Sequence, residues 1–131
     1  LVGYMILDLF AVNGDLPKLV WNIEETFIRL LREEYTIDAL RVKNNRGIWL
    51  CGNKICAIGL AVRKGITLHG FAFNVDPNLS HFSWIVPCGI QDRGVTSLAA
   101  HLNRKIQMEE LIPGTVKHFA EVFGYQKINW I

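Results

Sequence analysis

Apolar positions along the chain follow two different periods. Leu16, Leu19, Val20, Ile23, Phe27, Leu30 and Leu31 recur at helical spacing, and Glu24, Glu25, Arg29, Arg32 and Glu33 take the other face. This predicts an amphipathic helix ending near Tyr35. Asp15 stands where an N-cap belongs, and Pro17 is tolerated in a first turn. Upstream, the apolar run Val2 to Phe10 predicts a strand, broken at Asn13-Gly14. Downstream the pattern turns to β. Ile48-Trp49-Leu50-Cys51, Lys54 to Val62 and Ile66 to Val75 read as three strands, with turns at Gly52-Asn53 and at Arg63-Lys64-Gly65. Residues 46–75 are thus expected to form a meander, stopped by Asp76-Pro77-Asn78. Leu79 to Asp92 has no clear period and contains Pro87-Cys88-Gly89. Thr96 or Ser97 can cap a short helix through His101. Val116, Phe119, Ala120 and Phe123 predict a last helix, with Gly124 as its stop. Helices flanking a mostly antiparallel sheet define the α+β class.

Length and composition narrow the picture. At 131 residues the chain is expected to be a single domain, residues 1–131, with no repeat and no linker. Half the residues are apolar and 20% are charged, which excludes a disordered chain. Ile55 to Val62, the longest apolar stretch, is far shorter than the roughly 20 residues of a membrane span, so no membrane partner is expected. The start Leu1-Val2-Gly3-Tyr4 shows no secretory signal and no initiator Met, the expectation being a processed or truncated chain. Fourteen basic against twelve acidic residues give a net charge of +2, which does not suggest a nucleic-acid partner. Cys51, Cys56 and Cys88 are odd in number and irregular in spacing, so reduced thiols in a cytoplasmic compartment are expected. His69, His81, His101 and His118 are scattered and no CxxC pair occurs, so no metal site is expected. Trp21, Trp49, Trp84 and Trp130 read as core or half-core, and Asp38 and Asp92 have no visible partner.

Three features can carry chemistry. Cys88 stands between a residue that fixes φ and one that permits unusual backbone geometry. Such a loop can hold a sulfur exposed, with backbone N–H groups free for an oxyanion; the plain alternative is a buried, inert thiol in a turn. Lys54 opens an otherwise apolar strand. An amine drawn into an apolar pocket loses basicity and can take a proton near neutral pH, whereas an exposed Lys beside a hairpin turn would do nothing. His69, in Thr67-Leu68-His69-Gly70-Phe71-Ala72, can line a pocket or simply be a hydrogen-bonded histidine of a half-buried strand. It can also serve as a base for Cys88. Spacing alone does not choose between His69 and Lys54 for that role.

Read together, Lys54-Ile55-Cys56-Ala57-Ile58-Gly59, Thr67-Leu68-His69-Gly70-Phe71-Ala72-Phe73-Asn74 and Pro87-Cys88-Gly89-Ile90 give KIxAIG, TxHGFAxN and PCGI in that order. This combination resembles the lipoyl(octanoyl) transferases, from Leu1 to about Phe123. The resemblance implies an α+β core shared with biotin and lipoate ligases. It implies a cytoplasmic acyltransferase of lipoate biosynthesis that takes octanoyl from octanoyl-acyl carrier protein. The acceptors would be lysines of lipoyl domains of 2-oxoacid dehydrogenases, such as pyruvate dehydrogenase, and of the glycine cleavage H protein. Carried over, Cys88 forms the acyl-thioester and Lys54 activates it. Acyl-pocket segments fall on Ala57-Ile58-Gly59 and Gly70-Phe71-Ala72, beside His69. The implied chemistry needs no metal, nucleotide or redox cofactor. The family's RGGxxTxHGPGQ signature, which precedes the segment matching Leu1-Val2-Gly3-Tyr4, is not in this sequence. The chain therefore resembles the C-terminal part of a transferase. The alternative expectation is a catalytically inactive remnant that binds acyl carrier protein or lipoyl domains. An ATP-using ligase relative is disfavoured by PCGI and by the lack of a nucleotide loop.

Overall fold

A computed structural model of the chain describes residues 1–12, 14–84 and 94–130. Its centre is a five-stranded antiparallel sheet: β1 (Val2–Tyr4), β2 (Leu40–Val42), β3 (Asn45–Leu50), β4 (Asn53–Arg63) and β5 (Ile66–Phe73), in spatial order β1-β5-β4-β3-β2. Helices α1 (Leu16–Tyr35), α2 (Leu98–Leu102) and α3 (Met108–Phe123) flank it. The α+β expectation is met, and the meander is β3-β4-β5.

The local causes are visible. The Asp15 carboxylate accepts the Lys18 N–H at 2.8 Å and starts α1. Thr36, in the left-handed region at φ 57°, ends it. Leu19, Ile23, Phe27, Leu30 and Leu31 all point into the core against Ile48, Leu50, Ile55, Phe71 and Phe73 of the sheet. Phe27 is the hub: its ring meets Phe71 edge-on at 4.6 Å, stacks on Phe73 at 5.1 Å and meets Phe119 of α3 at 6.1 Å. The β3-β4 and β4-β5 hairpins close through Cys51-Gly52 (φ 48° and 81°) and Lys64-Gly65 (φ 51° and 81°). Two central residues with positive φ match the twist of the strands they join.

Several expectations need correction. The first hairpin turn is Cys51-Gly52 and not Gly52-Asn53, because Leu50 pairs with Asn53. The predicted strand Val2 to Phe10 pairs regularly only as far as Tyr4. Beyond it the Thr67 hydroxyl enters the ladder: the Leu7 N–H donates to it at 2.9 Å, and it donates to the Met5 carbonyl. The chain then makes one isolated bridge at Asp8 and a 3₁₀ turn over Phe10–Val12. Helix α3 begins at Met108, well before Val116. The Glu110 carboxylate accepts the Gln107 N–H at 2.8 Å, and Pro113 stands inside the helix, past its first turn, where it offers no N–H to the Glu109 carbonyl. Strand β2 was not expected. Trp49 is buried, but Trp84 and Trp130 are 77% and 70% exposed and Trp21 is half-exposed. Asp38 does have a partner, the Arg32 guanidinium at 3.3 Å. Of the aperiodic segment from Leu79, a 3₁₀ helix over Leu79–Trp84 is described.

Candidate active site

α1 and α3 cover one face of the sheet. The other face carries the small residues of the motifs. Ala57 pairs with Ala72 and Gly59 with Gly70 across β4 and β5, and Ala72 and Gly70 pair onward with Val2 and Tyr4 of β1. Ala57, Gly59, His69, Gly70 and Ala72, with Tyr4 and a part of Phe71, line a depression of about 220 Å³. No bulk fills it because the strand residues beneath are small. At Gly70 the smallness is obligatory, since a Cβ there would overlap the Gly3 carbonyl oxygen. His69 is exposed on β5 in the left-handed region (φ 65°), with its ring edge-on to Tyr4 at 6.2 Å. Ile58 and the Phe71 ring belong to the helix-covered side, Phe71 in the core and Ile58 packed against it. The two motif segments are therefore brought together, but their residues are split between the two faces.

Lys54 reaches the open face through an irregularity. Ile48 pairs with Cys56, yet Trp49 pairs with Lys54, so β4 holds one extra residue at this point. Three positions apart on a regular strand, Lys54 and Ala57 would face opposite sides; the bulge puts them on the same one. Ile55 and Cys56 both enter the core. Lys54 is only 8% exposed, and its ammonium sits 4.9 Å from the centroid of the Trp49 ring. This is the buried lysine of the two alternatives, although it does lie next to a hairpin turn.

A second segment is stitched to the same place. β5 ends at Phe73, and residues 94–96 take the position beside Lys54. The Lys54 N–H donates to the Gly94 carbonyl and the Thr96 N–H to the Lys54 carbonyl, both at 3.0 Å, with Val95 bridged in parallel to Lys54. The Asn74 side-chain amide, the last letter of TxHGFAxN, donates to the Thr96 carbonyl at 3.0 Å. Sequence reasoning did not single out Asn74; its place at the end of a strand motif was the available signal. Ser97 then caps α2 by accepting the Ala100 N–H.

Cys88 lies outside the described residues, as do Pro87 and Gly89. Of the described thiols, Cys51 is exposed in the hairpin turn. Cys56 is fully buried, and burial pushes its thiol well above the ordinary range, so it is a poor nucleophile. A larger hollow of about 540 Å³ adjoins the depression through Ala72, between the ends of β1 and β5 and residues 105–108.

The lipoyl protein ligase A/B catalytic domain model matches residues 1–120. The chain belongs to that family. It is 53% identical over 125 residues to an octanoyltransferase of Caldicellulosiruptor saccharolyticus, covering 95% of this chain and 53% of the relative. The chain thus spans about half the length of the curated relatives it matches. Among solved structures it is similar to biotin protein ligase from Aquifex aeolicus (TM-score 0.72, 17% identity, 92% of this chain and 51% of that one). It is also similar to lipoate-protein ligase A bound with ATP (TM-score 0.66, 21% identity, 84% and 47%). At these identities the likeness is one of fold, and it agrees with the ligase-like core expected from sequence. Among the described residues no helix is long and apolar enough to cross a membrane.

Proposed function

We propose that the chain carries the cysteine–lysine half of an octanoyltransferase of lipoate biosynthesis, working in the cytoplasm. Octanoyl-acyl carrier protein is the donor. A lysine of a lipoyl domain, in a 2-oxoacid dehydrogenase or the glycine cleavage H protein, is the acceptor. The observation that carries this reading is Lys54. It is a buried amine placed by a bulge on the open face, and it is tied through its own backbone to Gly94, six positions after Cys88.

In this reading the Cys88 thiol gives up its proton and the thiolate attacks the donor thioester carbonyl. The oxyanion is held by backbone N–H groups, and the carrier thiol leaves with a proton. The acceptor amine then attacks the acyl-cysteine, an amide forms, and Cys88 leaves as thiolate. Lys54 is the relay for the protons. Two steps through a covalent enzyme imply ping-pong kinetics. The chain of eight carbons would lie along Ala57, Gly59, Gly70 and Ala72. Six or seven CH₂ groups at about 0.8 kcal/mol each offer a gross ~5 kcal/mol for holding it.

A second reading is non-catalytic binding of acyl carrier protein or a lipoyl domain. It is favoured by the exposure of Val2, Tyr4 and Ile6 next to the depression, which leaves one rim of the acyl site open. Intact-protein mass after incubation with octanoyl-acyl carrier protein separates the two. An octanoyl adduct on the chain that is lost in Cys88→Ala is the expected result. A folded chain that binds carrier protein and gains no mass establishes the second reading instead.

A further inference from the structure

The geometry points to a divalent-metal site on the helix-covered side, at the seam of α1 and α3, built from Glu33, His118 and Glu121. His118 is fully buried, yet neither of its ring nitrogens makes a hydrogen bond. What surrounds it is carboxylate. Glu34 Oε1 and Glu33 Oε2 lie 3.3 and 3.9 Å from Nε2, and Glu121 Oε2 lies 3.3 Å from Nδ1, none of them in hydrogen-bonding geometry.

This set is incomplete by its own chemistry. A neutral imidazole has one N–H donor and one lone pair, while an ionised carboxylate can only accept. Around a neutral ring, carboxylates can therefore satisfy only one of the two nitrogens. The lone-pair nitrogen needs a Lewis acid or a proton. Buried polar groups without a partner are uncommon enough to require a cause.

The spacing suits a cation. One donor atom from each of Glu33, His118 and Glu121 can be chosen so that all lie within 4.8 Å of one another. Two ligands at zinc–nitrogen and zinc–oxygen bond lengths, set at a tetrahedral angle, stand about 3.4 Å apart. Within the set, Glu121 Oε2 stands 3.3 Å from Nδ1 and Glu33 Oε2 3.9 Å from Nε2, so one carboxylate is already at that spacing from the ring and the other needs a small shift toward whichever nitrogen binds. His118 and Glu121 are three apart on α3 and so share a face. Glu33 comes from the last turn of α1. The Glu33 and Glu121 side chains are 51% and 45% exposed, which gives an ion a route in and leaves room for water as a further ligand. Glu34 packs over Gly114 of α3, where a Cβ would collide with its carboxylate. It thus adds negative charge beside the site. One imidazole with carboxylates selects a transition-metal ion such as Zn²⁺ or Mn²⁺ and argues against a thiolate-seeking one. The sequence pointed away from a metal because it shows no cysteine or histidine cluster. The ligands here are mostly glutamates, and one comes from a distant helix. The ion would be a staple between α1 and α3, on the other side of the sheet from Lys54.

The test uses the full 131-residue chain, stripped with chelator and titrated with Zn²⁺ alone, read by calorimetry and by the ¹⁵N shifts of the His118 ring. The expected result is one equivalent bound with a shift of His118, and a melting temperature that rises with added Zn²⁺. Replacing buried His118 risks the fold, so the deciding variant is Glu33→Gln with Glu121→Gln, both on exposed side chains. It should weaken Zn²⁺ binding at least 10-fold and leave the metal-free melting temperature within a few degrees of the parent. If the unmutated chain takes up no stoichiometric Zn²⁺ with a His118 shift, or if the double variant binds as tightly as the parent, the site is refuted.

Discussion

The two faces of the sheet come from the same strands and differ in almost everything else. The helix-covered face is filled by Phe27, Phe71, Phe73 and Phe119 in mutual ring contact. The open face presents alanines, glycines, one buried lysine and an exposed histidine. Burial of aromatic area supplies stability, and small side chains leave a surface something else can occupy. The contrast implies that stability and chemistry are separable in this chain. A change on one face should leave the other's property nearly intact.

The hardest break of that contrast is Phe27→Ala. It removes a fully buried ring that contacts three others, and a loss of about 3–5 kcal/mol is expected from the lost transfer energy and the remaining cavity. Denaturant unfolding reads it directly. Lys54→Met is the counterpart. It keeps an apolar stem of similar length and removes the ammonium that sits 4.9 Å from the Trp49 ring centroid. If the proposed mechanism holds, octanoyl transfer should fall about 10²-fold, the lower end for a lost acid–base group, while the denaturant midpoint moves little. Were Lys54→Met to unfold the chain and leave the per-molecule rate unchanged in what stays folded, Lys54 would be a structural residue and the two faces would not divide as argued.

How far the sequence revealed these faces depended on distance along the chain. The main helix and the hairpins are local patterns, and they were readable. Small residues at Ala57, Gly59, Gly70 and Ala72 were readable as motif letters, though a motif does not say which face each letter takes. Ile58 and the Phe71 ring turned out to lie with the core. The bulge that turns Lys54 to the open face depends on how β3 and β4 register, and no window of sequence reports that. α3 was half legible because the apolar spacing from Val116 to Phe123 marks only its second half, whereas its first turn is held by Glu110. The early strand failed for a similar reason: an apolar run does not announce that a threonine hydroxyl from β5 will replace a backbone partner. Of the three carboxylates around His118, only Glu121 is near it in the chain; Glu33 and Glu34 come from a helix more than 80 residues earlier, so spacing could not find them.

The smallest effect concerns how the covered face is fastened at its rim. Arg41, on the edge strand β2, donates to Glu24 at 3.2 Å and to Glu25 at 2.6 Å, and Arg29 donates to Glu25 at 2.9 Å. The second oxygen of Glu24 accepts the Gly47 N–H at 3.0 Å, so these bonds tie α1 to β2 and β3. Burial by itself pushes the Glu25 carboxyl up, but the hydrogen bonds and charges of Arg41 and Arg29 outweigh it and hold the carboxyl below the ordinary range. A carboxylate with a depressed folded-state pKa contributes stability above its unfolded value, near 4.3, and that contribution disappears as pH falls through the folded value. Arg41→Ala should therefore cost about 1–2 kcal/mol at neutral pH, since one side chain serves two carboxylates, one of them buried. The gap between variant and parent should narrow steadily below about pH 4. Urea unfolding at pH 7, 5 and 3 checks this. A gap that stays constant across that range would mean that Arg41 acts by packing on the Trp21 ring, 4.4 Å away, and not through its charge.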